Sequence, residues 1–272
     1  MPTLVREDTT LYYEVTGRGA PVLLIQGVGV IGHGWRPQVE ALSTSFQMLT
    51  FDNRGLGQSV PCRGRISIPA MADDALALLD AVGWPSAHVV GHSMGGLIAQ
   101  HLALEHPERV RGLSLLCTFS KGSQAARPTP WMLWQGLRLR IGTRRMRRRA
   151  LLNLLMSRDY RRAADLDVAV DRLTPLLGHD PADRLPVMRK QLWAMARYDR
   201  SGDLGRLGGI PALVISAAED PIAPPRFGRR LAKAIGGAHY QELQGASHAV
   251  TIEAPHRVNP LLRAFFTVCD AG

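Results

Sequence analysis

The chain contains the stretch Val90-Gly91-His92-Ser93-Met94-Gly95-Gly96, in which a G-x-S-x-G motif separates two apolar segments. Residues 87–90 predict a short buried strand before the motif, and residues 97–103 predict a helix after it. Such a sharp turn strains its central residue, and the small neighbours let the chain pass without clashes. An isolated motif of this kind is often only a glycine-rich turn with a capping serine. The flanking strand and helix instead predict that Ser93 is a nucleophile at the head of a helix, where N–H groups favour negative charge.

A serine hydroxyl is a weak nucleophile at neutral pH, so it needs a base, and the base needs an orienting acid. Residues 210–216 predict a strand, and Asp220 follows it at the carboxyl end, where α/β proteins place functional groups. Residues 239–243 predict the next strand, and His248 follows that one in a loop. The chain order Ser93, Asp220, His248 is the order expected for such a sheet. We therefore predict that these three residues form a catalytic triad.

Other residues of the same types compete for these roles. Glu219 precedes Asp220, but Pro221 fixes the turn after Asp220, and the shorter side chain commonly caps such a turn. A carboxylate after the strand predicted at residues 112–118 is excluded, because none follows before Asp159. Six other histidines lie on the turn around Ser93, within a predicted strand or helix, or at the end of such an element. None of them has the loop position that a mobile base needs. They are His88, His92, His101, His106, His239 and His256. We expect His92 to pack or hydrogen-bond locally.

An oxyanion hole is expected in an early loop between a strand and a helix. Residues 21–25 predict a buried strand, which Gln26-Gly27-Val28-Gly29 follows. We assign the backbone N–H groups of Val28 and Met94 as the two donors. Gly27 and Gly29 permit the required peptide direction, and Gly27 is also predicted to contact substrate.

Taken together, these motifs resemble the α/β-hydrolase superfamily in its serine esterase, lactonase and peroxidase-like branch. The resemblance is carried by the elbow around Ser93 and by residues 26–29, 51–59, 219–221 and 245–248. It implies an α/β fold with a mostly parallel eight-stranded sheet, flanked by helices and interrupted by a helical cap. The family usually has His at the position of Gln26, which orients the oxyanion loop. Arg54 lies in what resembles a structural turn of the family, where it is expected to form an ion pair.

Length and composition agree with one large core. A chain of 272 residues with 46% hydrophobic content is ordinary for a globular α/β domain. The first residues lack the order of a signal peptide, and no apolar run could span a bilayer. Cys62, Cys117 and Cys269 cannot all pair, and Cys117 falls in a predicted core strand, so we expect reduced thiols and a cytoplasmic protein. No metal-ligand spacing or dinucleotide loop is found, so no metal or cofactor is expected.

The segment at residues 120–200 interrupts the alternation of strands and helices and is too long for a loop. Residues 151–156 and 192–196 predict helical pieces in it. We therefore divide the chain into a core, residues 1–119 and 201–272, and an arginine-rich helical cap at residues 120–200. Trp131 and Trp134 of the cap could pack it on the core or line an acyl pocket.

Positive charge is concentrated in the cap. Residues 121–200 contain 18 basic and 7 acidic residues, and five of the basic ones lie in the run from Arg144 to Arg149. A solvated basic helix face explains such a run most simply. Weak contact with an anionic membrane surface and steering of acidic substrates are alternatives. Nucleic acid is not expected, because stacking aromatic residues and a recognised binding fold are missing.

The predicted activity is hydrolysis of a small carboxylic ester or lactone through an acyl-enzyme on Ser93. Carbon–carbon bond hydrolases resemble one another in an Asn before the serine and a Trp after the histidine, whereas this chain has His92 and Ala249. Cofactor-free haloperoxidase or perhydrolase activity on the same site is a second alternative. A slow ligand sensor, which is labelled once and stalls, is a third. The oligomeric state stays open.

Overall fold

A computed structural model describes residues 2–124, 129–183 and 185–271 of the chain. Within these residues, one sheet contains eight strands: β1 (Thr3–Val5), β2 (Thr10–Gly17), β3 (Ala20–Ile25), β4 (Phe46–Phe51), β5 (Ala87–His92), β6 (Val110–Leu116), β7 (Ala212–Ala217) and β8 (His239–Leu243). The strands are arranged in the order β1-β2-β4-β3-β5-β6-β7-β8. Strand β2 is antiparallel to β1 and β4, and the other neighbouring strands are parallel. The predicted fold class is confirmed.

Helices cover both faces of the sheet and fill the long connection between β6 and β7. In chain order the helices are α1 (Arg36–Leu42), α2 (Ile68–Ala81), α3 (Met94–Glu105), α4 (Pro130–Arg140), α5 (Arg144–Leu155), α6 (Arg158–Ala163), α7 (Leu166–Leu177), α8 (Pro186–Arg197), α9 (Pro225–Ile235), α10 (Val250–Glu253) and α11 (Pro255–Ala271). Helices α2, α3 and α9 pack on one face, and α1, α10 and α11 pack on the other. Helices α4 to α8 lie between β6 and β7.

Alternation along the central strands joins these layers into one core. In β3, Leu23 and Ile25 belong to the cluster under α2 and α3, whereas Val22 and Leu24 belong to the cluster under α11. Successive side chains of a strand point to opposite faces, so a strand buried on both faces is apolar throughout. This explains why residues 21–25 were recognisable as a strand in the sequence.

The topology determines where a site can form. Strand β3 pairs with β4 on one side and with β5 on the other, so the direction of chain crossover reverses between β3 and β5. In open α/β sheets, the crevice at such a reversal lies beyond the carboxyl ends of the strands. Gly27 follows β3 and Ser93 follows β5 at this edge.

Some sequence-based boundaries differ from the structure. Strand β6 ends at Leu116, so Cys117, which we expected within a core strand, lies just after it with a φ of 44° and remains buried. The helical piece predicted at residues 151–156 is the end of the longer helix α5. Residues 125–128 and 184 of the predicted cap lie outside the described residues, and the core and cap boundaries remain a prediction.

The arginine run forms the first half of α5 and is partly neutralised by aspartates of the same region. Arg144 Nη2 lies 3.1 Å from Asp180 Oδ2, and Arg148 pairs with the same carboxylate. These guanidinium groups, Arg148 above all, hold the pKa of Asp180 below its usual value. Arg145 pairs with Asp167 of α7 at 3.2 Å.

Among the described residues, no helix combines the length and the apolar character needed to cross a bilayer.

Candidate active site

Ser93 occupies the turn between β5 and α3 with a φ of 54° and a ψ of −119°. This positive φ is rare for a residue with a side chain and indicates local strain. The glycines beside it are required by close packing. A Cβ on Gly91 would lie 2.3 Å from the Gly95 carbonyl oxygen, and one on Gly95 would lie 2.1 Å from the Ile25 carbonyl oxygen. The motif therefore has the sharp strand-to-helix turn that the sequence predicted.

The structure brings the three residues of the predicted triad together. Ser93 Oγ lies 3.0 Å from His248 Nε2, and His248 Nδ1 lies 2.7 Å from Asp220 Oδ2. Because a carboxylate only accepts hydrogen bonds, Nδ1 carries the proton and Nε2 can accept from the serine hydroxyl. Asp220 Oδ1 accepts from the N–H groups of Ile222 at 2.8 Å and Ala223 at 2.9 Å, which hold the carboxylate in place. All three triad side chains are buried.

The rival carboxylate Glu219 has a different partner. Its Oε2 accepts a hydrogen bond from the Arg158 N–H at the start of α6, at 2.9 Å. Glu253, which the sequence did not single out, links the same helix to the His248 loop. Its two oxygens accept from the N–H groups of Ser157 and Ser247, each at 3.0 Å. Both glutamates therefore connect the α6 end to the loops that carry the acid and the base.

His92 forms a hydrogen bond with the loop that carries His248. Its Nε2 lies 2.8 Å from the His248 carbonyl oxygen, and the two rings are 5.1 Å apart. Burial, together with the neighbouring His248, lowers the pKa of His92 to about 4. His92 is therefore neutral at pH 7, with Nε2–H donating to the carbonyl. We expected His92 to pack or hydrogen-bond locally, whereas its hydrogen bond joins the turn to the backbone of the candidate base, which is distant in the chain.

The two residues after β6 contact the candidate nucleophile and acid. Thr118 Oγ1 donates to the Ser93 carbonyl oxygen at 2.7 Å. Cys117 is fully buried, and its burial and the nearby Asp220 carboxylate raise the pKa of its thiol well above the usual value. The side chain therefore stays protonated beside Asp220.

The loop after β3 packs directly against Ser93. A Cβ on Gly27 would lie 3.0 Å from Ser93 Cβ, so only glycine fits there without displacement. The Gly27 N–H is engaged by the side-chain oxygen of Gln26, and the Gly29 N–H by that of Gln191. Across the described residues no acceptor is found for the intervening Val28 N–H. The Met94 N–H belongs to the first turn of α3, where helical amides lack an internal acceptor.

Gln26 turns its side chain onto its own loop. Its Oε1 accepts from the Gly27 N–H at 3.3 Å, and its backbone oxygen accepts from Asn53 Nδ2 at 3.0 Å. Its Nε2 is buried without a hydrogen-bond partner among the described groups. Gln26 therefore stabilises the loop through its oxygen atoms.

Two residues from the segment between β6 and β7 form hydrogen bonds with Gly29, at the far end of the loop that follows β3. Gln191 Oε1 accepts from the Gly29 N–H, and His179 Nε2 lies 2.9 Å from the Gly29 carbonyl oxygen. Gln191 is fully buried on α8 together with Ala194 and Met195. This contact was not predicted from the sequence. A polar residue on the buried stripe of a helix is the one signal that could have indicated it.

The remaining predicted site residues lie elsewhere. Trp131 and Trp134 are on α4 with exposures of 42% and 54%, and their contact with substrate stays a prediction. Arg54 is buried and pairs with Asp74 at 2.6 Å, as expected of a structural ion pair. Across the described ranges, no three His, Cys, Asp or Glu side chains are grouped in a way that could hold a metal ion.

Known proteins are similar to this chain over nearly all of its length. Residues 20–255 match the family model described as alpha/beta hydrolase fold. RutD of Azorhizobium caulinodans, named as a carbamate hydrolase, is 32% identical over 266 residues, covering 97% of this chain and 98% of the relative. BpoC of Mycobacterium tuberculosis, named as a non-heme bromoperoxidase, is 32% identical over 267 residues, with 96% and 99% covered. The solved enol-lactonase of Burkholderia xenovorans LB400 has a TM-score of 0.80 at 29% identity, covering 98% of this chain and 100% of that chain.

Proposed function

Because this chain belongs to the α/β-hydrolase fold family, we propose that it is a serine hydrolase that cleaves small carboxylic esters, including lactones. The observation that carries this proposal is the continuous hydrogen-bonded chain from Ser93 Oγ through His248 to Asp220, with distances of 3.0 and 2.7 Å. A serine hydroxyl bonded to an imidazole, itself oriented by a buried carboxylate, is suited to acyl transfer.

In the first step, His248 Nε2 takes the proton of Ser93 Oγ as this oxygen attacks the carbonyl carbon. The negative charge that develops on the carbonyl oxygen is stabilised by the N–H groups of Val28 and Met94, each worth about 3 kcal/mol in sites of this kind. Collapse of the tetrahedral intermediate breaks the bond to the alcohol oxygen, which takes the proton from His248. Asp220 stabilises the charged imidazole during this transfer.

In the second step, His248 removes a proton from water, and the resulting nucleophile attacks the acyl group on Ser93. The second tetrahedral intermediate releases the carboxylic acid, and the proton returns to Ser93 Oγ. In a lactone the acid and the alcohol are parts of one molecule, so the product is a single hydroxy acid. The same groups act in both steps, and no cofactor is needed for the balance of atoms.

The names of two of these relatives agree with carbonyl chemistry at this site. An enol lactone and a carbamate each present a carbonyl carbon that bears a leaving group, and one nucleophile with one oxyanion hole serves both. The similarity to the enol-lactonase supports the ester and lactone class. The similarity to RutD makes a carbamate the second substrate class to test.

The test is hydrolysis of nitrophenyl esters of increasing chain length, a set of lactones and a nitrophenyl carbamate, with phosphonate labelling mapped to a peptide. We expect labelling at Ser93 and loss of turnover by several orders of magnitude in Ser93→Ala. Ser123→Ala, at an exposed serine, is the matched control. A folded Ser93→Ala protein that hydrolyses esters at the parent rate would contradict the proposal. Release of about one equivalent of nitrophenol per chain from the ester, without further turnover, would indicate a ligand sensor instead.

A further inference from the structure

Helix α4 turns large apolar side chains towards solvent. These side chains, counting the residue that follows the helix, are 42% to 64% exposed: Trp131, Leu133, Trp134, Leu137 and Ile141. At 3.6 residues per turn they fall within an arc of about 160° on one side of the helix. We call these five residues the α4 outer face. The residue that α4 buries is Gln135, which accepts a hydrogen bond from Asn153 at 3.1 Å.

This arrangement reverses the usual pattern of a surface helix, which buries its apolar stripe. Single exposed apolar residues are ordinary on a protein surface, but a contiguous patch of this kind marks an interaction site. Helix α4 packs mainly on α5, which carries the arginine run. The α4 outer face lies on the side of α4 away from α5, and the basic residues nearest to it on α4 itself are Arg138 and Arg140.

Charge around the α4 outer face is positive. Arg138 and Arg140 fall on opposite edges of its arc, and Arg138 lies over the Trp134 ring at 5.9 Å. Residues 121–158 contain no acidic residue. Arg144 and Arg145 pair with aspartates, but their own side chains are 53% and 63% exposed, so the two guanidinium groups remain accessible to solvent.

We propose that the α4 outer face docks on the surface of an anionic lipid bilayer. Tryptophan and leucine side chains next to arginine are the combination that anchors helices in the interface between headgroups and acyl chains. The arginines at its edges would contact lipid phosphates, and the apolar residues would enter the acyl boundary. A helix of 11 residues is about half as long as a bilayer is thick, so the contact is peripheral. The proposal does not depend on the chemistry of Ser93.

The first test is co-sedimentation with vesicles of phosphatidylcholine alone and of phosphatidylcholine mixed with phosphatidylglycerol. We expect binding to the anionic vesicles, weakened by added salt, and little binding to the neutral ones. The double variant Leu133→Ser/Leu137→Ser should bind at least about tenfold more weakly, because interfacial binding scales with buried apolar area. Val268→Ser, at another exposed apolar residue, is the matched control and should bind like the parent. Thermal unfolding and ester turnover of the double variant should stay at the parent level.

The second test locates the contact. Lipids with brominated acyl chains quench tryptophans that enter the acyl boundary. We expect them to quench the parent, and the quenching to be lost in Trp131→Phe/Trp134→Phe, which retains the three other tryptophans.

Three results would overturn the proposal. The first is absence of binding to anionic vesicles at low salt. The second is equal binding by the parent and by Leu133→Ser/Leu137→Ser, which would indicate attraction by charge alone. The third is a parent dimer in sedimentation analysis that the same double variant converts to monomer without vesicles. That result would assign the α4 outer face to a second copy of the chain.

Discussion

The amide oxygen of Gln191 accepts a hydrogen bond from the Gly29 N–H at 2.9 Å. This bond joins α8 to the loop that carries the proposed oxyanion donor, Val28. Since the Gly29 N–H can only donate, the orientation of the Gln191 amide is determined, and its Nε2 is left buried without a partner among the described groups. The packing of α8 and the geometry of the oxyanion loop are therefore coupled.

We predict that Gln191→Met lowers kcat by about tenfold to a hundredfold, less than the direct loss of an oxyanion donor, with a smaller change in KM. Methionine preserves the length of the side chain but cannot accept the Gly29 N–H. Steady-state kinetics on a nitrophenyl ester would measure the change. Leu192→Met, at an exposed neighbour on α8, is the control. A rise in KM alone, with kcat unchanged, would show that Gln191 contacts substrate without positioning the loop.

The pKa of His92 predicts how stability depends on pH. Folding lowers this pKa from 6.5 to about 4, so between these values the unfolded chain binds a proton that the folded protein does not. The free energy of unfolding therefore falls as pH decreases from 6.5 to 4, and His92 contributes about 3 kcal/mol to this loss. Glutamine at this position preserves a donor for the His248 carbonyl oxygen but does not titrate. We predict that denaturant unfolding of His92→Gln has a shallower dependence on pH over this interval.

Variants of His92 also separate its two roles. His92→Gln should keep most of the ester turnover, because the hydrogen bond to the His248 loop is preserved. His92→Phe fills the space but removes the donor, and we expect it to lower kcat by about tenfold, the rate equivalent of one neutral hydrogen bond. Equal activity of the two variants would show that the His248 loop does not need this bond.

The triad residues could be predicted from sequence because each follows directly on a local pattern. Ser93 and Asp220 each follow an apolar run that predicts a strand, His248 follows the strand predicted at residues 239–243, and parallel strands end at the same edge of a sheet. Gln191, His179 and Glu253 could not be found in this way. Gln191 and His179 reach the Gly29 loop, and Glu253 reaches Ser157, through packing between segments far apart in the chain, for which no local motif exists.

The arginine run is a second case in which the local sequence does not determine the contacts. Its position in the sequence predicted a basic helix face, but its pairing with Asp167 and Asp180 depends on how α5 and α7 meet. The outward orientation of the apolar side of α4 likewise depends on which side of that helix α5 covers. Helical periodicity identifies a face but does not state which face is buried when both contain apolar residues.

Arg54 and Asp74 form a buried ion pair, with side-chain exposures of 3% and 1%. If Arg54 is removed, the Asp74 carboxylate stays buried with less positive charge nearby to stabilise it. We therefore predict that Arg54→Met lowers the free energy of unfolding by about 3–5 kcal/mol. Arg36→Met, which breaks an exposed pair with Glu40, should cost less than about 1 kcal/mol. Chemical denaturation would measure both values. Unchanged kcat in the folded fraction of Arg54→Met is expected, and a large loss of kcat would instead give Arg54 a part in the chemistry.

Asp220 and Glu219 can be separated by two isosteric substitutions. The amide of Asp220→Asn can present its N–H₂ to His248 Nδ1, which then favours the tautomer with the proton on Nε2. That tautomer cannot accept the Ser93 proton, so we predict a fall in kcat of about four orders of magnitude with the fold preserved. Glu219→Gln keeps an oxygen that can accept the Arg158 N–H and should retain turnover within a few-fold of the parent. Ester kinetics and the rate of phosphonate labelling at Ser93 measure both effects, and labelling should slow in Asp220→Asn alone. If Glu219→Gln produced the larger loss, the assignment of the acid to Asp220 would be wrong.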